Sequence, residues 1–381
     1  MRKLIVKNFG PFENLEFEMD KKYYVLIGEQ ASGKSTLAKL LFLFREVSDV
    51  FPAINFNIYL KRKNDKSNIE KIFIDSICQN FLSCFDSSLF NRNTILQYYY
   101  SVEKEKYILI KGNNRHKISL EFSEALLHDL KNVINEINIL LAGVTDSKKI
   151  FKLINLSESS IKEVFCVKEE SLYIPAARSF ISTFADTSYD FMKSNAYDYT
   201  IKRFVGTIDA FRSTLVFQNP IEAVKILVDN PDNIINLVSE ILKGKYSVID
   251  DKEFIRMNGK NISLPLSSSG QQESLWILNL MLFSVCTEYS FNFVIEEPEA
   301  HLFPKAQFDI MKFIIMIANM TDAELFITTH SPYILNTLNV LMYAGKVEKD
   351  DSNSPIIEKE CRIKHNQIGV YYLHRGELED I

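Results

Sequence analysis

The 381-residue sequence lacks paired cysteines, long apolar runs and a large excess of charge of either sign. Its five cysteines are scattered and none forms a Cys-x-x-Cys pair, which is typical of reduced thiols in a cytoplasmic protein. No run of about 18 apolar residues occurs, so we expect no membrane span and no membrane partner. The opening residues, with charges at Arg2, Lys3 and Lys7, do not resemble a secretion signal. We therefore expect a cytoplasmic protein.

The charge balance argues against a protein that coats nucleic acid. The net charge is −5 and the isoelectric point is near 5.8, whereas proteins that cover nucleic acid over much of their surface are basic. We interpret the basic run at residues 61–63 as solvated loop charge. A nucleic-acid partner stays open, because one local basic patch is compatible with this balance, but the charge does not indicate one.

Hydrophobic patterning divides the chain into a head and an insertion. Residues 1–47 and 245–381 alternate strand and helix patterns, which indicates an α/β fold with a mixed sheet and antiparallel N-terminal strands. Residues 48–244 are rich in Asn, Lys, Ile and Phe, and we predict an inserted, mostly helical region with helices near 124–143 and 221–242. No sustained heptads occur, so we expect no long coiled-coil arm.

A phosphate-binding loop is the most informative motif, because the chain has only 12 glycines. Residues 28–35 match G-x4-G-K-[ST] between a predicted strand and a predicted helix, which is the required context. In such loops, backbone N–H groups and the helix N-terminus bind phosphate oxygens. Lys34 would reach the β- and γ-phosphates of ATP, and the Ser35 hydroxyl would bind Mg²⁺. The predicted nucleotide-binding residues are Gly28, Glu29, Gln30, Ala31, Ser32, Gly33, Lys34, Ser35 and Thr36.

Two later strands end in polar residues that suit hydrolysis. One ends at Glu296-Glu297, and ligands of parallel sheets lie at the carboxyl ends of strands. We predict that Glu296 holds Mg²⁺ and that Glu297 polarises the attacking water, the alternative being a surface Glu-Glu turn. The other strand precedes His330, which could hydrogen-bond the γ-phosphate or simply cap or pack in the core. The predicted catalytic residues are Lys34, Glu297 and His330.

A serine-rich segment precedes the helix predicted from Glu273. Small hydroxyl residues and a glycine at a helix start can bind an anion, but they can equally cap the helix. One triphosphate does not need two such sites in one chain. The residues concerned are Ser268, Ser269, Gly270 and Gln271.

In this order, the motifs resemble those of ABC-type P-loop ATPases of the SMC and OLD class. Residues 268–271 resemble the signature motif, 296–302 the Walker B and D-loop segment, 329–332 the switch-histidine segment and 5–12 the first strand. The resemblance implies a P-loop NTPase fold with an SMC-like head. It also implies ATP hydrolysis in a head-to-tail homo-oligomer, in which Ser268 to Gln271 of one protomer complete the ATP site of another.

The sequence departs from that pattern in two places. At the magnesium-binding position the wider class has aspartate. This sequence has Glu296 instead, as the OLD-like branch does. The sequence does not identify a single residue as the Q-loop glutamine of that class. The candidates are Gln79 and Gln97. Residues 173–179 resemble a Pro-Ala-x-Arg segment of OLD-like defence ATPases, in which Arg178 could contact phosphate, a partner protomer or an ordinary ion-pair carboxylate.

The biological role rests on the same resemblance. Only 46 residues follow Leu335, too few for the Toprim nuclease domain of OLD proteins, so we expect no nuclease in this chain. Stand-alone ATPases of this type resemble the ATPase subunits of the Septu and PARIS anti-phage systems. The resemblance implies a sensor that controls a separate effector, such as a nuclease or toxin. The alternatives are an SMC-like ATPase of DNA repair or DNA ends, a binding module without catalysis, and the ATPase subunit of a transporter.

Overall fold

The computed structural model describes residues 1–51, 69–141, 158–183, 197–287, 289–347 and 356–381. The chain forms two compact units. The first unit comprises Met1–Asp20, Ala31–Ser171 and Leu373–Leu378, and the second comprises Lys21–Gln30, Leu172–Tyr372 and Glu379–Ile381. The predicted division at residues 47 and 245 stays a prediction. The basic run 61–63 and the predicted helix end at Gly143 lie outside the described residues.

The principal elements of the described residues are named here in chain order. They are β1 (Arg2–Phe9), β2 (Phe12–Met19), β3 (Tyr23–Gly28), α1 (Lys34–Arg45), α2 (Ile69–Cys84), β4 (Ile95–Ser101), β5 (Lys106–Gly112), β6 (Ile118–Phe122), α3 (Glu124–Leu141), β7 (Glu170–Ile174), α4 (Tyr199–Arg212), α5 (Leu215–Gln218), α6 (Pro220–Leu227), α7 (Asp232–Leu242), β8 (Lys245–Ile249), β9 (Lys252–Met257), β10 (Lys260–Ser263), α8 (Ser269–Cys286), β11 (Phe291–Glu296), α9 (Pro304–Met320), β12 (Leu325–Thr329), α10 (Pro332–Val347), β13 (Ile368–His374) and β14 (Glu377–Asp380).

A five-stranded antiparallel sheet organises the first unit, in the order β2-β1-β4-β5-β6. Its apolar residues alternate along each strand, as in β1, where Leu4 and Val6 are fully buried. Strands β5 and β6 form an antiparallel hairpin on either side of residues 113–117. The sheet also joins β1 to β4, so strands from both sides of the predicted division at residue 47 share one hydrogen-bonded ladder.

Helix α1 packs in the first unit through aromatic contacts. The Phe44 ring stacks on Tyr98 with centroids 5.3 Å apart, and the Tyr100 hydroxyl donates to the Phe44 carbonyl at 2.5 Å. The start predicted for α3 is confirmed, since the Leu126 N–H donates to Ser123 Oγ at 3.3 Å.

A six-stranded sheet has the order β14-β13-β3-β12-β11-β7. Within the second unit, β3, β12 and β11 are parallel neighbours. Their side chains are almost all buried, as the continuous apolar runs predict for strands covered on both faces. Because the three strands run in one direction, their carboxyl ends meet at one edge of the sheet.

The second unit also contains the core helix α8 and a three-stranded antiparallel sheet. Helix α8 is buried on all sides from Glu273 to Ser284. A tight hairpin turn joins β9 and β10, where Asn258 and Gly259 have φ of 48° and 78°. The single helix predicted over 221–242 is wrong. It is interrupted between α6 and α7, where Asn230 has a φ of 54° and Pro231 has no N–H to continue the ladder.

Two sequence expectations concern the chain as a whole. All five cysteines lie in described residues and are free thiols. Among the described helices, none combines the length and apolar character needed to cross a bilayer.

Candidate nucleotide-binding site

The carboxyl-terminal edge of the parallel strands gathers three predicted site residues in the second unit. Thr328 lies opposite Glu296 in the β11–β12 ladder, and Thr329 lies opposite Ile27 in the β12–β3 ladder. Gly28, Glu296 and His330 therefore follow or end neighbouring strands at the same edge. This is where ligands of parallel sheets bind.

The phosphate-binding loop leads from β3 in the second unit to α1 in the first. Ala31 has a φ of 61° and Gly33 a φ of 106°, so the loop departs from regular backbone before α1 begins at Lys34. Such turns direct successive N–H groups toward one side, where they can bind an anion. Lys34 is 5% exposed with Nζ 3.3 Å from Ser32 Oγ, whereas Ser35 is exposed. The first turn of α1 contains no acidic residue, as suits a phosphate.

We expect Gly33→Ala to destabilise the protein more than an alanine at a glycine in open space. A Cβ at Gly33 would lie 2.6 Å from Pro11 Cγ and 2.7 Å from Phe12 Cζ, in addition to the strain of the positive φ. Strain of this kind costs about 1–3 kcal/mol. Gly259→Ala is the matched control, because Gly259 has a φ of 78° with nothing within 4 Å. Thermal unfolding measures both, and equal losses would contradict the steric argument.

Glu296 presents an unpaired carboxylate oxygen. The side chain is 5% exposed, its Oε2 accepts from the Ala176 N–H at 3.3 Å, and its Oε1 is buried with no hydrogen-bond partner among the described residues. A buried carboxylate oxygen is costly unless it meets a donor or a cation. In the described chain, no cluster of three or more His, Cys, Asp or Glu side chains is arranged to hold a metal. The buried, unpaired Oε1 of Glu296 suits a cation such as Mg²⁺, which needs few protein ligands beside phosphate and water.

Glu297 and His330 lie side by side. Glu297 has a φ of 42°, and its N–H donates to the Thr328 carbonyl at 2.8 Å. Its Oε1 lies 3.5 Å from His330 Nε2, and both side chains are 37% exposed. The separation exceeds that of a strong hydrogen bond. Because both side chains are partly exposed, they are accessible to water at the carboxyl-terminal edge of the parallel strands, which we call the strand-end edge.

Glu299 supports the histidine, and the sequence analysis did not single it out. The carboxylate Oε1 accepts from the Thr329 hydroxyl at 2.7 Å and from the His330 N–H at 2.9 Å. Glu299 is 8% exposed. Glu299 therefore holds the backbone at Thr329 and His330 in place. Its place three residues after Glu296 was the available signal.

The serine-rich segment forms a helix cap. Ser268 Oγ accepts from the Gln271 N–H at 3.4 Å, while Gln271 Oε1 accepts from the Ser268 N–H at 3.0 Å. The buried Gln271 amide also donates to the Leu242 carbonyl at 2.7 Å. Ser268 and Ser269 stay exposed, so capping and a contact with a second protomer do not exclude each other. A Cβ at Gly270 would lie 2.9 Å from the His301 carbonyl oxygen, which explains the glycine.

The Q-loop candidates both lie in the first unit. Gln97 is on β4 and its amide donates to the Tyr99 hydroxyl at 2.9 Å. Gln79 is exposed on α2. The choice between them stays a prediction.

Arg178 is an internal residue. Its side chain is 0% exposed, and Nε lies 3.5 Å from Glu273 Oε2. Of the roles considered for it, the ion pair is the one present in this structure. Burial lowers the pKa of the guanidinium, while the nearby carboxylates, Glu273 first, act in the opposite direction.

Comparisons with known proteins identify a family and several similar solved structures. The family description "AAA ATPase domain" matches residues 1–335. No curated protein matches the sequence. Similar solved structures include an SMC head domain from Thermotoga maritima, with 10% identity, a TM-score of 0.40 and coverage of 100% of this chain and 97% of that one. An Smc head domain from Pyrococcus furiosus bound to the C-terminal domain of ScpA has 11% identity, a TM-score of 0.44 and coverage of 100% and 96%.

A third similar structure is the recombination mediator protein RecF with ATP, at 13% identity, a TM-score of 0.35 and coverage of 100% and 96%. The family match covers most of the sequence, including every predicted site residue. The family match confirms the predicted class of a P-loop ATPase, and the structure confirms the antiparallel N-terminal sheet. The chain belongs to the AAA ATPase domain family.

Proposed function

We propose that the protein binds and hydrolyses ATP with Mg²⁺. The observation that carries the proposal is the strand-end edge, where Gly28, Glu296, Glu297 and His330 come together. The P-loop continues from this edge into α1, whose N-terminus offers N–H groups and the ammonium of Lys34. Residues 28–36 are the proposed nucleotide ligands. Membership of an ATPase family supports ATP as the nucleotide.

Each proposed role follows from the chemistry of the side chain. Lys34 binds β- and γ-phosphate oxygens, and Glu297 accepts a hydrogen bond from the attacking water and takes its proton. As the water oxygen bonds to the γ-phosphorus, the bond to the bridging oxygen breaks and ADP leaves. His330 donates a hydrogen bond to the γ-phosphate. Ser35 and Glu296 would hold Mg²⁺, which when bound offsets the negative charge on the phosphates.

We further propose that two protomers form composite sites head to tail. Ser268 and Ser269 are exposed at the start of α8, and their hydroxyls are the groups that we propose contact the γ-phosphate bound by a second protomer. With Gly270 and Gln271, they are the residues that resemble the signature motif. Two exposed apolar side chains near this helix start, Leu266 at 81% and Phe303 at 77%, support a protein contact there.

The proposed biological role is that of a nucleotide-gated sensor in bacterial anti-phage defence, with a separate effector protein such as a nuclease or toxin. The resemblance to stand-alone OLD-like ATPases motivates this role. The net charge of −5 favours a protein partner over an extended nucleic-acid surface. Discovery of tightly bound nucleic acid would favour the alternative, an SMC-like ATPase acting on DNA.

Mass photometry of the Glu297→Gln protein, with and without Mg-ATP, tests the shared-site proposal. We expect ATP to convert monomers into dimers or larger symmetric assemblies, because ATP bound by one protomer supplies contacts for the next. The same measurement on material from the native host reads the mass of any bound effector. A protein that binds ATP and stays monomeric at all concentrations would contradict the composite-site proposal. It would also contradict the proposed role as a nucleotide-gated sensor.

Ser268→Arg is expected to bind ATP normally and to lose at least ~90% of turnover, because a long cation at the helix start blocks approach of a second protomer's γ-phosphate. Nucleotide affinity and steady-state hydrolysis are measured on the same preparation. Ser268→Ala is the control for loss of the helix cap alone, because it removes the cap without adding a long cation. Loss of an N-cap costs only about 1 kcal/mol of stability. An active, monomeric Ser268→Arg protein would contradict the composite site.

A further inference from the structure

Arg178 lies at the meeting point of three backbone segments. Its Nε donates to the Glu273 carbonyl at 2.8 Å, in the first turns of α8. One terminal nitrogen donates to the carbonyls of Glu296 at 3.0 Å and Pro175 at 2.9 Å. The other donates to the Glu297 carbonyl at 3.2 Å. The side chain thus ties the end of β11 to the segment after β7 and to the start of α8.

The same segment also contacts the first acidic residue directly. The Ala176 N–H donates to Glu296 Oε2 at 3.3 Å, and the Arg178 N–H donates to Glu273 Oε2 at 3.3 Å. Glu273 is 3% exposed and supplies the countercharge for the buried guanidinium. A planar guanidinium can bond several carbonyls at fixed angles, which an ammonium on a flexible stem cannot do.

The backbone at the acidic pair needs such support. Glu297 adopts a φ of 42°, a left-handed conformation that is unfavourable for residues other than glycine. A strained residue of this kind persists only where surrounding bonds over-determine it. The bonds that hold it include those from Arg178 to the two carbonyls, the bond from the Glu297 N–H to Thr328, and the bond from the Ala300 N–H to the Glu297 carbonyl at 3.1 Å.

We propose that Arg178 is a positioning residue, which holds the peptide units of Glu296 and Glu297 so that both carboxylates keep their places, and which links them to the start of α8. The proposal rests on the proposed ATPase function for its kinetic consequence. The structural part stands without it.

The main test is the double variant Arg178→Gln/Glu273→Gln, which removes both members of the ion pair, so that Glu273 is not left buried and charged without its partner. We expect ATP affinity within ~3-fold of wild type and a kcat lowered by ~100-fold, since small displacements of catalytic groups have effects of this size. In the nucleotide-free protein, we expect hydrogen exchange at residues 297–300 to accelerate at least ~10-fold. Arg178→Lys keeps the charge and is expected to recover little of the kcat.

Asn319→Ala is the control for a loss of stability alone. Asn319 bonds the Tyr23 hydroxyl at 2.6 Å and the Glu360 and Arg362 carbonyls, at the amino-terminal end of β3 and away from the strand-end edge. We expect it to lower the melting temperature without changing kcat. Unchanged exchange at 297–300 in the double variant would overturn the proposal, as would a kcat that follows stability in both variants. Absent ATPase activity in the wild type refutes the proposed function instead, and the exchange result still decides the role of Arg178.

Discussion

Lys34→Ala should raise the dissociation constant for Mg-ATP at least ~100-fold. The lysine begins α1 and is 5% exposed, so its ammonium acts in surroundings with little water. Hydrogen bonds to a charged partner are worth about 1.5–3 kcal/mol each, and each 1.4 kcal/mol is tenfold in affinity. Binding to both the β- and γ-phosphates therefore accounts for the size of the effect. Equilibrium binding of a fluorescent ATP analogue measures it.

Lys111→Ala is the matched control, because Lys111 is an exposed lysine of the same unit that pairs with Glu121 at 2.8 Å. Removing it should leave ATP affinity within ~2-fold, since exposed ion pairs contribute little. If Lys34→Ala and Lys111→Ala bind ATP equally well, the P-loop assignment fails.

Glu297→Gln should bind ATP and hydrolyse it at least ~100-fold more slowly, as expected when a positioned general base is removed. The amide keeps the size of the side chain and can still hydrogen-bond water, but it cannot take the proton. Because Glu297 is 37% exposed beside His330, the substitution should leave the fold undisturbed. Phosphate release at saturating ATP gives kcat, and ATP titration gives affinity.

Glu240→Gln is the control for that variant. Glu240 is an exposed carboxylate on α7 that pairs with Lys243 at 2.6 Å, so kcat should not change. Normal turnover in Glu297→Gln would place the base elsewhere, with Glu299 the next carboxylate along the chain.

The local parts of the fold and site were readable from the sequence. The β3 run, the loop after it and the Asn258-Gly259 turn each follow from residues within a few positions. The acidic pair was placed at a strand end because a fully apolar strand precedes it. Sequence patterns of this kind depend only on neighbouring residues, and they located Gly28, Glu296 and His330 at one edge.

The parts that could not be predicted depend on distant residues. Arg178 contacts Glu273, 95 positions away, and Glu296, 118 positions away. No local pattern carries that information. The joining of β4 to β1 likewise pairs residues about 90 positions apart, such as Leu4 with Tyr98. The break between α6 and α7 was missed because apolar spacing continues on both sides of Pro231.

The position of β3 in its sheet has a consequence for synthesis on the ribosome. Its neighbours, β12 and β13, begin at Leu325 and Ile368, roughly 300 residues after Tyr23. At roughly 5–20 residues per second, the apolar strand emerges roughly 15–60 s before either partner exists. During that interval its backbone and side chains are unpaired, which makes the segment a target for chaperones. The nucleotide-binding edge is thus one of the last parts of the nascent chain to acquire its structure.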